Sequence, residues 1–313
     1  MTRIGDLPGG DLIILNPLKK NRRRIQFMFW SGPAFIFSAI MVSISVGSFV
    51  LKGFHFGVDF TGGTLIELEF DQPTRLDKIR SSLFAEGFED ATIKSLGSTE
   101  DIIVKVGPRK ENLNEEMIAN HITKAVISAI NRPVKVRRIE SIGPSVGADL
   151  AESGAIAVIF SLFLIFLYIS VRFQWCLSVG AVTALVHDVI ITLGAFSLLG
   201  IEIDLTTVAA LLTVLGYSLN DTVVVFDRVR ENLQKIQRSR GLTEVVNQSL
   251  TETISRTMIT SVTTLLVVLS LLINGGTVVH SFALVMLIGI VVGTYSSIYI
   301  ASALALRIKH FFP

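Results

Sequence analysis

Six stretches of this chain are each long and apolar enough to cross a lipid bilayer, and that constrains the fold more than any other feature. A spanning helix needs about 20 mainly apolar residues, because hydrocarbon leaves every backbone polar group to be satisfied within the segment. The runs are roughly Gln26 to Leu51, Ser153 to Val171, Phe173 to Leu199, Asp204 to Phe226, Ile254 to Ile273 and Ser281 to Leu306. Between the first two lies a polar stretch of about a hundred residues, enough for a small domain of its own. The expected architecture is a polytopic α-helical membrane protein with six transmembrane helices and one soluble insertion. Its expected segments are 1–24 (basic N-terminus), 25–51 (first span), 52–150 (soluble domain), 151–227 (spans two to four), 228–253 (basic loop), 254–306 (spans five and six) and 307–313 (tail).

Orientation follows from charge. Lys19, Lys20, Arg22, Arg23 and Arg24 precede the first span, Arg172 follows the second, and Arg228, Arg230, Lys235, Arg238 and Arg240 fill the loop after the fourth. Arg307 and Lys309 follow the sixth, whereas Gly200 to Ile203 and Asn274 to His280 hold no Lys or Arg. The positive-inside rule therefore puts both termini in the cytoplasm and the insertion outside. The first apolar run exceeds the ~7–15 residues of a signal-peptide core and no A-x-A-like site follows, so it reads as a retained anchor. The single cysteine, Cys176, excludes an internal disulfide and a cysteine-built zinc site.

The insertion alternates in kind. TLIELEF (Thr64 to Phe70) has the period of a strand, and Pro73 ends it. Thr74 is placed to cap a helix through Ala85. Strands over Ala91 to Leu96 and Asp101 to Val106 follow, then a helix from about Asn112 to Ile130 and a strand from Val134 to Ile142. The order β-α-β-β-α-β is the split ferredoxin-like α+β arrangement, which names no function. His55 and His121 lack metal-ligand spacing, and Glu67 and Glu69 read as an exposed strand face. GVDFTGG (Gly57, Asp59, Gly62 and Gly63 among its residues) and Gly143, Pro144 and Gly147 mark the two joints with the membrane. They read as tight turns and as candidate hinges. No phosphate loop or cofactor signature is present, and nothing in the pattern points to nucleic acid.

The spans contain polar and ionisable residues at depths where a charged side chain costs on the order of 3 kcal/mol. They are His187 and Asp188 in the third, Asn220 and Asp221 in the fourth, and Arg256 in the fifth. Asp221 lies 17 residues from Asp204, and Arg256 lies 17 residues from Ile273. At ~1.5 Å per residue both sit ~25 Å below the outer surface, so an acid and a base can meet across antiparallel helices. Asp188 sits near mid-membrane. Thr206, Thr213, Tyr217 and Asp221 share one face, as do Arg256, Thr260 and Thr263. The plainer alternatives are a snorkelling Arg256, an Asp221 held in a permanent ion pair, and a His187 that only bridges helices. Asp227, beside Arg228, reads as a solvated helix end. Ser218 with His187, or Asp188 with Asp221, would suit an intramembrane protease, but neither has the expected motif. An ion channel or a small-molecule exporter would also use buried charge. A carboxylate beside an arginine can act as a proton switch, since protonation releases the arginine and deprotonation recaptures it.

The run from Arg172 to Asn232, with VHDV and GYSLNDTVVVFDRVREN inside it, closely resembles the SecD/SecF export-membrane-protein family. ISRTMITSVTTLL from Ile254, GTYSSIYIA from Gly293, GVDFTGG and GPSVGADL match further family segments, so the likeness spans about Leu18 to Ile308. Cys176 and Ile203 replace aromatic residues, and Met1 to Pro17 has no counterpart. The short insertion places the resemblance on the SecF-type branch. What it implies is a multi-pass subunit of the bacterial inner membrane, related to RND transporters, with its insertion in the periplasm. SecF-type chains work with SecD beside the SecYEG channel, with YajC and YidC in the same machinery, and pull unfolded exported chains outward with the proton-motive force. Ion use is implied at Asp221 and Arg256, with Asp188, His187 and Asn220 along the route. No enzyme activity and no cofactor is implied.

Overall fold

The structure is a computed structural model that describes residues 25–96, 98–108, 115–173, 175–235 and 241–311. After a short 3₁₀ turn (Phe27–Trp30), helix α1 runs Ser31–Leu51 without a charged residue. The chain then forms β1 (His55–Phe56), the single helical turn α2 (Val58–Thr61) and the soluble domain. That domain comprises β2 (Gly63–Phe70), α3 (Leu76–Ala85), β3 (Thr92–Leu96), β4 (Ser98–Val106), α4 (Glu115–Ile130) and β5 (Val134–Ile142). Its four strands lie in the order β3-β4-β2-β5, each pair antiparallel, as the split β-α-β-β-α-β pattern requires. Alternation along β2 turns Ile66, Leu68 and Phe70 onto one face, where Ile79 and Leu83 of α3 and Ile122 and Val126 of α4 cover them. All of the core residues belong to the domain itself.

Thr74 does not cap α3: its hydroxyl donates to Gln72 O and the helix starts two residues later without a side-chain cap. The predicted stretch from Asn112 to Asn114 lies outside the described residues. GVDFTGG is a helical turn flanked by β1, rather than a simple tight turn.

The membrane part comprises α5 (Pro144–Arg172), α6 (Trp175–Leu199), the two-residue β6 (Glu202–Ile203), α7 (Leu205–Lys235), α8 (Leu242–Asn274) and α9 (Gly276–Ser296). A π-helical turn (Ser297–Ala301) joins α9 to α10 (Ser302–Phe311). Pro144 sits at the first position of α5, where its missing N–H costs nothing. Asp204 caps α7, its Oδ1 accepting from Thr207 N at 2.7 Å. The helices outrun the apolar segments. Residues 228–235 and 242–253, expected in a loop, are helical, because strong helix formers carry α7 and α8 past the membrane surface.

Among the described residues, six helices are long and apolar enough to cross a membrane. Within their most apolar windows α6, α7 and the α9 span are 56%, 44% and 56% buried, against 17%, 6% and 17% for α1, α5 and α8. The first three form the centre of the bundle, and the others present apolar side chains such as Ile36, Phe160 and Leu266 to lipid.

A buried polar cluster across the central helices

Among the described residues, the buried carboxylates of the bundle lie on two of the central helices, Asp188 on α6 and Asp221 on α7. Asp188 of α6 is fully buried. Its Oδ2 accepts from Ser218 Oγ of α7 and from Ser296 Oγ of α9, both at 2.8 Å. Its Oδ1 lies 3.1 Å from His187 Nδ1, while His187 Nε2 is buried without a hydrogen-bond partner. The approach of the helices depends on Gly293: a Cβ there would stand 2.9 Å from Ser218 Cβ and 3.5 Å from Asp188 Oδ2. Ser296 immediately precedes the π-helical turn, a rare deformation that concentrates at functional sites. Three side chains from three helices thus converge on one carboxylate and leave neither of its oxygens without a partner.

In this order, serine and histidine both bond to the aspartate. A hydrolytic triad instead needs the imidazole between hydroxyl and carboxylate. Ser218 therefore serves Asp188 and is not activated by His187.

Asp221 lies three residues beyond Ser218, towards the basic end of α7. It is 4% exposed, and its Oδ2 is buried with no hydrogen-bond partner. Arg256 of α8 is the charge near enough to act on it. The two form no ion pair within 4.0 Å, and Arg256 is exposed. Arg256 lines an open cleft of about 520 Å³ at the basic end, where Arg228 pairs with Glu252 and with Glu231 (2.6 Å) and Arg172 with Asp227 (3.4 Å). Asp227 is thus in an exposed ion pair.

Asn220 is exposed, as are Thr213 on the same helix and Thr263 on α8. Of the stripes inferred from the sequence, Thr213, Arg256 and Thr263 therefore face outward, whereas Asp221 is buried. Cys176 is buried, so it offers no ready handle for labelling.

At the joints, Gly62 (φ 73°) and Gly63 (φ 125°) adopt backbone that other residues rarely reach. A Cβ on Gly62 would stand 2.8 Å from Pro144 Cα, and one on Gly147 2.8 Å from the Phe60 carbonyl oxygen. Gly57 N donates to Ile203 O at 2.8 Å, and Asp59 Oδ2 accepts from Leu205 N at 2.9 Å, beside the first turn of α7. Gly143 precedes Pro144 at the start of α5. Here the glycines allow segments to pack in direct contact. Sequence reasoning missed Ser296 and the Asp59 contact. The pair of serines inside GTYSSIYIA was the available sign of the first.

The family description "Protein export membrane protein SecD/SecF, C-terminal" matches residues 122–310, and "SecD/SecF GG Motif" matches 47–74. The chain belongs to the SecD/SecF protein-export family. Within it, this chain is 50% identical over 298 residues to "Protein translocase subunit SecF" of Vibrio alginolyticus, covering 94% of each. It is 46% identical over 291 residues to the subunit of that name from Escherichia coli O157:H7, covering 93% of this chain and 90% of that one. Among solved structures it is similar to SecDF, a translocon-associated membrane protein from Thermus thermophilus, with a TM-score of 0.82 at 38% identity. That match covers 92% of this chain and 39% of the SecDF chain. SecDF in a super-membrane-facing form matches with the same identity and coverage but a TM-score of 0.67. The SecD/SecF C-terminal match contains His187, Asp188, Asn220, Asp221 and Arg256, and the GG match contains Gly57 to Gly63.

Proposed function

We propose that this chain is the SecF-type subunit of a proton-driven export motor in the bacterial inner membrane. In this reading, both termini are cytoplasmic and the soluble domain is periplasmic, as the Lys and Arg distribution favours. It works with a SecD-type partner beside the SecYEG channel, with YajC and YidC in the same machinery, on unfolded chains in late translocation.

The observation that carries the reading is the setting of Asp221. A nearly buried carboxylate has one oxygen without a hydrogen bond, and the nearby arginine sits on a face that lipid cannot satisfy. Thr213, Asn220, Arg256 and Thr263 along that outer face favour a membrane partner covering it. When Asp221 ionises it attracts Arg256, and when it is protonated the arginine is free to turn to the partner or to the basic cleft. A proton moving through releases about 2.3 kcal/mol per 100 mV of potential, enough to bias two packings of α7 against α8. Asp188 and His187 mark the route from the periplasmic face. The Asp188 cluster ties the three central helices together, so the change is confined to α8 shifting against α7.

The test is late-stage translocation into vesicles holding the reconstituted SecD–SecF pair under an imposed proton gradient. Asp221→Asn is expected to assemble normally and lose the response to the gradient. A full response in that variant would make Asp221 a structural residue and move the proton route elsewhere.

A further inference from the structure

The soluble domain and the bundle do not share a core. Every residue of the domain's buried cluster lies between Ile66 and Val126. Of residues 52–143, the buried clusters of the bundle take in only Phe60, which belongs to the joint. Apolar packing therefore does little to fix how the body of the domain sits on the membrane helices.

Polar contacts take that role. The β1–β6 pairing and the Asp59 hydrogen bond tie the joint to the α6–α7 turn, but neither reaches the four-stranded sheet. Among the described residues, both ion pairs that cross from the sheet to the bundle end on Glu202. Its Oε1 lies 2.6 Å from Lys94 Nζ of β3, and its Oε2 pairs with Lys105 Nζ of β4. Lys94 and Lys105 lie on neighbouring strands, on the sheet face that the helices leave open. Burial pushes the Lys105 ammonium below its ordinary value, and the adjacent Lys94 charge adds to this. Two ammonium groups thus share one carboxylate, which offsets their mutual repulsion, and the charges of Asp204, Asp59 and Glu140 also favour the Lys105 ammonium.

We infer that Glu202 is a positioning residue: with Lys94 and Lys105 it forms a clasp that holds the soluble domain docked on the bundle and can open to let it swing. Glu202 stands two residues before Asp204, the cap of α7, and α7 carries Ser218 and Asp221. Opening the clasp changes the load on the first turn of the helix that runs through the polar cluster. The two SecDF structures match this chain with TM-scores of 0.82 and 0.67 at the same identity and coverage. The inference holds for this chain's geometry whether or not protons drive the motor.

The experiment uses the full chain in lipid nanodiscs. With Cys176→Ser as background, spin labels are placed at Ser81→Cys on α3 and Asn274→Cys at the end of α8, and their distance distribution is measured by pulsed electron resonance. The parent is expected to give one narrow population. Glu202→Gln should broaden it and add a second population. Glu202→Lys combined with Lys94→Glu and Lys105→Glu should restore the narrow one, which simple misfolding could not do. An unchanged distribution in Glu202→Gln overturns the inference. So does broadening that the reversed charges fail to repair.

Discussion

Asp188 and Asp221 are both buried carboxylates on central helices, but their surroundings assign them different work. Asp188 has Ser218, Ser296 and His187 around it, whereas Asp221 keeps an oxygen bare and a single distant cation. Replacing Asp188 by Asn keeps an acceptor oxygen for the two serine hydroxyls but removes the charge that strengthens their hydrogen bonds, a loss of about 1–2 kcal/mol. Asp188→Asn is therefore expected to melt at lower temperature in detergent, while Asp221→Asn, which relieves a desolvated charge, melts at or above the parent temperature. Equal melting of the two variants would dissolve the distinction. Depth arithmetic along single helices found Asp188, Asp221 and Arg256, because rise per residue is a local property. It could not find the Asp188 cluster, whose serines lie 30 and 108 residues away and meet only through helix packing. Nor could it tell that Arg256 and Asn220 face outward.

At the scale of elements, periodicity located each strand of the soluble domain and all six spanning helices. Helix ends were less legible, since α7 and α8 continue into polar sequence where hydropathy falls but helix propensity does not. The pairing of β1 with β6 was invisible, being two residues of tertiary contact with no pattern of their own. Within the sheet, Arg137 of β5 donates to both carboxylate oxygens of Glu69 on β2, at 3.0 and 2.8 Å. Its hydrogen bonds hold the Glu69 carboxyl below the ordinary value of 4.5. A lowered folded value means that the pair's stabilisation is complete above pH 4.5 and is lost as pH falls through the depressed value. For the isolated domain, His55 to Gly143, whose core is its own, melting followed by circular dichroism should show this acid-side loss. Glu69→Gln should remove that part of the pH dependence, and an identical profile in the variant would count against the pair.

The whole molecule is a domain with its own core, joined to the bundle through glycine-dependent close contacts and a shared carboxylate. The bundle has central helices fixed by Asp188 and an outer polar face that carries Arg256. Its family was legible from long motifs, and its membrane class from hydropathy alone. The division of labour between a fixed carboxylate and a free one was not, because it depends on side-chain neighbours. That division is the central claim, and the protonation state of Asp221 tests it most directly. In infrared difference spectra of the reconstituted SecD–SecF complex, a protonated carboxyl stretch should appear as pH is lowered and vanish in Asp221→Asn, while Arg256→Met retains it at higher pH. A spectrum with no such band at any pH, or a band unaffected by Asp221→Asn, would contradict the account.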